Sequence, residues 1–160
     1  PPCRYDGKSK KNEAVCALAE RFELIPVCPE VLGGLPTPRT PSERRGACVV
    51  RKDGRDVTAE YRRGAECALE TARREGVLAA VLKERSPSCG SGEIYDGTFT
   101  GALTAGDGVT AELLKANGIT VYGEGEQSLA EFLCSVSHST YVFFRAFGAR
   151  PTCFFTRSII

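Results

Sequence analysis

The sequence is short of histidine, of net charge and of long apolar runs. His138 is the single histidine, so a Ser–His or Cys–His catalytic pair is a poor basis for its chemistry. No CxxC pair occurs, which argues against a zinc ribbon and against a thioredoxin-like redox site. Lys and Arg total 21 against 20 Asp and Glu, a net charge of +1. That balance offers no bulk attraction to polymeric nucleic acid or to a membrane surface. No apolar run reaches the ~18 residues of a spanning helix. The opening residues, PPCRYDGKSKKNEA, lack the apolar middle of a signal peptide. A cytoplasmic protein without a membrane partner is the expectation.

What is present is an ordinary core-forming composition with an unusual number of thiols. The chain has 160 residues, 42% hydrophobic and 26% charged, enough for one globular domain with a real core. It carries eight cysteines: Cys3, Cys16, Cys28, Cys48, Cys67, Cys89, Cys134 and Cys153. An even count suggests a disulfide framework in small secreted domains, but this chain is long enough to fold without one. Cys16 and Cys67 lie in Ala-rich helical patterns, AVCALAE and AECALE, and are expected as buried, inert thiols.

Along the chain, NEAVCALAERF sets Val15, Leu18, Ala19 and Phe22 at helical spacing behind Asn12 as N-cap. FELIPV reads as a short strand and residues 28–46 as a long loop. GACVVRKDG is a short strand ending in a turn. DVTAEYRRGAECALETARREG reads as a long helix, with Thr58 as N-cap and Gly76 as stop. VLAAVLK is apolar on both faces, as in a central strand covered from two sides. Residues 84–108 read as loop, VTAELLKANG as a short helix, ITVYG as a strand and GEQSLAEFLCSV as the last helix. The alternation predicts an α/β fold: a small, mostly parallel sheet with helices on both faces, a Rossmann-like three-layer sandwich. Residues 1–134 form that domain, and 135–160, rich in Phe and Arg, an atypical C-terminal extension.

In open α/β sheets ligands bind beyond the carboxyl ends of the strands. Two strands here run into irregular loops, IPV into Cys28-Pro29-Glu30 and AAVLK into Glu84 through Gly90. If the strands are parallel, Cys28, Glu30, Ser86 and Cys89 meet at one edge. Long loops of this kind are usually functional. Thiols there suit zinc, an iron–sulfur cluster, or a reactive cysteine beside Lys83 and Arg85. Arg39, flanked by prolines in PTPRTPSE, presents a guanidinium suited to an anion.

Longer motifs carry a resemblance. CRYDGKSKKNEAV, ELIPVCPEVLGGLPTPRTPSE, DVTAEYRRGA, LKERSPSCGSGEIYDGTFTG and GDGVTAELLKANGI together resemble a short bacterial family that includes the thiouracil desulfidases. The resemblance implies a [4Fe–4S] cluster held by three cysteines, whose fourth iron binds the sulfur of a thiolated nucleobase as a Lewis acid. Water then replaces sulfur, leaving the oxo base and hydrosulfide with no net redox change. On this chain it implies Cys28 and Cys89 as cluster ligands, Glu30 as general base and Ser86 as proton relay. Arg39 and Ser88 are the candidates to contact a small thiolated base such as thiouracil. Family members begin with a further strand and a CLLG-like segment that carries the first ligand. This chain starts at PPCRYDG, which leaves Cys3 as the candidate third thiol. The alternative reading is a non-enzymatic metal- or anion-binding sensor that uses the same cysteine-lined rim. Changing Glu30 separates the two.

Overall fold

The computed structural model describes residues 4–8, 11–77, 79–139 and 157–159. Asn12 caps the first helix as its residue type favours, its side chain accepting from the Val15 amide at 3.1 Å. That helix, α1 (Glu13–Ala17), tightens into a 3-10 turn over Leu18–Glu20. Val15, Leu18 and Phe22 are buried, whereas Ala19 and Cys16 are exposed. The expectation of a buried Cys16 is therefore corrected. So short a helix buries a stripe one residue wide, and Cys16 lies one step off it. Cys67 is half-buried.

The chain continues through β1 (Glu23–Ile25), α2 (Pro29–Leu32), a hairpin of β2 (Ser42–Arg45) and β3 (Cys48–Arg51), and α3 (Thr58–Arg74). It goes on through β4 (Ala79–Leu82), a second hairpin of β5 (Glu93–Tyr95) and β6 (Leu103–Ala105), α4 (Val109–Ala116), β7 (Thr120–Gly123), α5 (Glu126–Ser139) and β8 (Arg157–Ile159). The fold is mixed α/β. One four-stranded sheet runs in the order β1-β8-β4-β7 with all neighbours parallel, and two antiparallel hairpins stand beside it.

All four residues of β4 are buried. Ala80 and Leu82 join Leu69, Ala72, Ala111 and Leu114 of α3 and α4. Ala79 and Val81 join Val15, Leu18, Leu129 and Phe132 of α1 and α5. Alternation along a strand thus feeds two clusters, as a central strand requires. Phe132 closes the second cluster, its ring 5.2 Å from that of Phe22 and 5.3 Å from that of Tyr122.

Three expectations change. The supposed loop 28–46 holds α2 and β2, and the supposed loop 84–108 holds β5 and β6. Neither hairpin announces itself by apolar alternation, because β2 is SERR with only Glu43 buried and β5 buries only Ile94. Thr58 is not the cap of α3. Position 57 takes that place without a side-chain cap bond, while the Thr58 amide donates to Asp56 Oδ1 at 2.8 Å and the Thr58 hydroxyl accepts from Val49 N at 2.9 Å. α5 runs on to Ser139, through the position of His138, and β8 from the expected extension inserts between β1 and β4. No helix among the described residues is long and apolar enough to cross a membrane.

Candidate active site

β1 and β4 are members of one parallel sheet, so the loops that follow them emerge at the same edge. After β1 the chain turns directly into α2. Cys28 takes the cap position, Pro29 the first turn and Glu30 the acidic place beside the helix start. After β4 the chain passes Lys83, Glu84 and Arg85 and folds into the Ser86–Gly90 turn. Arg85 adopts a left-handed φ of 61°, unusual for a residue with a long side chain and a mark of a turn held by its surroundings. The loops meet where the Ser86 hydroxyl lies 3.5 Å from Glu30 Oε1. Cys28 and Cys89 are both half-buried, and Val27 and Cys89 pack against the same core cluster.

The Cys28–Glu30 loop is set by α3. A Cβ on Gly64 would run into the Pro29 carbonyl oxygen, and one on Gly33 into the Glu60 carbonyl oxygen. The two glycines bring α2 and α3 into backbone contact. Arg63 closes the far end of α2 by donating Nε to Gly33 O at 3.0 Å, with Nη2 on the same oxygen. This satisfies a carbonyl that the helix end leaves open.

The Ser86–Gly90 turn is set by α4. Val109 N donates to Pro87 O at 3.0 Å, Thr110 N to Ser88 O at 2.8 Å, and Gly108 N to Gly90 O at 2.7 Å. A Cβ on Gly108 would come within 2.7 Å of Cys89 N. Ser88 is wholly buried, its hydroxyl 2.8 Å from that of Thr110. The structure therefore gives Ser88 a buried partner and no open face toward a base. It anchors the turn that carries Cys89.

Ser86 has a defined polarity. The amides of Ser88 and Cys89 both donate to its Oγ at 3.1 Å. A hydroxyl has two acceptor sites and one proton, so this one is left to donate, and Glu30 Oε1 is the acceptor within reach. The other carboxylate oxygen belongs to Arg39. Both Nε and Nη2 lie 2.7 Å from Oε2. The Arg39 side chain is only 7% exposed, so the guanidinium expected to await an external anion instead meets an internal carboxylate. Tyr61 of α3 is buried to 1% exposure near Glu30. Burial, and then the Glu30 charge, push its phenol far above the ordinary range and keep it protonated.

The two cations next to this turn are both paired with carboxylates. Lys83 pairs with Glu124, and Arg85 with Glu93 at 3.4 Å. Cys3 lies outside the described residues, but Tyr5 close to it does not. Its carbonyl accepts from Arg39 N at 2.7 Å, which ties Tyr5 to the backbone of the Arg39 loop. Among the described residues no three His, Cys, Asp or Glu side chains group as a metal site.

Sequence reasoning placed Cys28, Glu30, Ser86 and Cys89 together and missed Tyr61, Gly64, Gly108 and Thr110. Gly64 left a trace. A glycine inside a strong helix costs ~1 kcal/mol against alanine, and close packing is a common reason to keep one.

Three comparisons with known proteins identify the family. The model of the 2-thiouracil desulfurase family matches residues 1–126. The uncharacterised protein YbbK of Bacillus subtilis (strain 168) is 43% identical over 134 residues, covering 78% of this chain and 89% of its own length. A solved structure described as the [4Fe–4S]-dependent thiouracil desulfidase TudS superposes with a TM-score of 0.75 at 48% identity, covering 86% of this chain and 91% of that one.

Proposed function

The chain belongs to the 2-thiouracil desulfurase family, and from that membership we propose that it is a [4Fe–4S]-dependent desulfidase. It exchanges the sulfur of a thiouracil-type base for oxygen and releases hydrosulfide. The observation that carries this reading is the meeting of Glu30 and Ser86 between two cysteine-bearing loops. The cofactor requirement rests on the solved relative. The donor chemistry suits it: two half-buried thiols on separate loops of one sheet edge are the soft ligands an iron–sulfur cluster takes. Cys28 and Cys89 would hold it, with Cys3 as the proposed third thiolate. When bound, the cluster supplies a Lewis-acid site for the sulfur of the base.

The protein's own groups handle water and protons. Glu30 Oε1 takes a proton from the attacking water. Ser86, whose hydroxyl meets that same oxygen, gives its proton toward the departing sulfur and regains one from the Glu30 carboxyl, so both groups end as they began. The sum is thiobase plus water giving oxo base plus hydrogen sulfide, with no electron gained or lost. A small thiolated base, acted on in the cytoplasm, is the partner in this reading. The architecture we propose is the Rossmann-like three-layer sandwich, supported by the two-sided packing of β4.

Glu30→Gln tests the reading. The anaerobically reconstituted variant is expected to keep its iron and sulfide and to lose most of its turnover of 2-thiouracil. If parent and variant both bind iron and neither consumes thiolated bases, the protein is a binding module instead.

A further inference from the structure

Arg39 uses all three guanidinium nitrogens inside the protein. Nε and Nη2 both reach one oxygen, Oε2, of Glu30 at 2.7 Å. Nη1 reaches back to its own loop, to Thr37 Oγ1 at 3.1 Å and Pro36 O at 3.4 Å. Its backbone amide is tied to Tyr5 O at 2.7 Å. Prolines at 36, 38 and 41 limit the backbone on either side.

A guanidinium usually spreads its fork over both carboxylate oxygens. Here it loads a single one. The carboxylate is thereby turned so that Oε1 faces Ser86. Oε2, with two charge-assisted donors, is spent.

We propose that Arg39 is a positioning residue of the desulfidase reaction: it fixes which oxygen of Glu30 meets the water and Ser86, and it does not bind the base. This rests on the functional reading above. It predicts that substitution acts on the rate of the bound complex and leaves affinity for the base alone. Lysine cannot replace it, since one ammonium cannot hold Oε2 from two sides and reach Thr37 as well.

The test compares Arg39→Lys, Arg39→Ala and Thr37→Val after anaerobic reconstitution. Iron, sulfide and melting temperature are measured beside the kinetics of 2-thiouracil. Arg39→Lys and Arg39→Ala are expected to lose about a hundredfold in kcat, the scale of a small misplacement of a catalytic group. KM should move less than about twofold, the mark of an interaction absent from substrate binding. Millimolar guanidinium should raise the rate of Arg39→Ala and leave that of Arg39→Lys unchanged. Thr37→Val, which removes the nearer of the two acceptors of Nη1, should lose a smaller part of kcat with the same KM. A rise in KM with kcat preserved overturns the proposal, as does full activity in Arg39→Lys. Should Arg39→Ala fail to fold, an unchanged kcat in Thr37→Val overturns it.

The Arg39 Nε–H resonance of the unreconstituted protein separates this failure from that of the functional reading. The resonance should be slow to exchange and should shift in Glu30→Gln. A parent that releases no hydrosulfide while showing that shift sinks the desulfidase reading and leaves the pair standing. No shift sinks the positioning claim whatever the activity.

Discussion

The backbone of Gly64 on α3 lies directly against the Pro29 carbonyl oxygen, with no room between them for a Cβ. Through this contact a helix behind the site sets the height of Cys28 and Glu30. Gly64→Ala must push α2 outward. Overpacking of this kind costs about 1–3 kcal/mol. The melting temperature of the variant is expected to fall by several degrees. At temperatures where it is still folded, turnover should fall further than stability alone explains. Equal activity per folded molecule would show that the contact serves packing only.

Ser86 accepts two amides and is left to donate. Ser86→Ala removes the proposed relay and leaves the Ser88 and Cys89 amides without that acceptor. Turnover is expected to drop by about two orders of magnitude, in the range of general acid–base groups. Ser86→Thr keeps the hydroxyl and should recover much of the rate. Single-turnover measurements on both variants check the ordering.

Ser88 gives the opposite outcome to that expected of a substrate contact. Its hydroxyl is buried against Thr110, so Ser88→Ala strands a buried hydroxyl at a cost of about 1–3 kcal/mol. Denaturant unfolding should show that loss. KM for 2-thiouracil should stay where it was.

The thiols separate by position. Cys28→Ser and Cys89→Ser are expected to lower the iron retained after reconstitution to well under half that of the parent. Cys16→Ser, on the outer face of α1, should leave it unchanged. Iron and sulfide analysis after gel filtration reads both.

The legible parts of this fold are those written in apolar periodicity. VLAAVLK announced β4 because all four of its strand residues are buried, and α3 showed in its amphipathic run and the Gly76 stop. From the two strand ends, Cys28, Glu30, Ser86 and Cys89 could be put on one edge before any geometry was known. Of the first hairpin only β3 was legible and of the second neither strand, since β2 and β5 are polar strands that pack one residue each. Nor was the role of Arg39. Its residue type and proline neighbours fit an external anion as well as Glu30, and only the fold brings that carboxylate to it. The burial of Ser88 was hidden for a similar reason, because its partner Thr110 lies 22 residues further along the chain.

The most direct test of the account follows the oxygen and the sulfur together. The anaerobically reconstituted protein is given 2-thiouracil in ¹⁸O-labelled water with no reductant, and uracil and hydrosulfide are quantified. The account predicts uracil carrying the label from water, one hydrosulfide per uracil, and continued turnover without an electron source. Unlabelled product, sulfide released only when a reductant is added, or a reconstituted cluster with no uracil formed would contradict it.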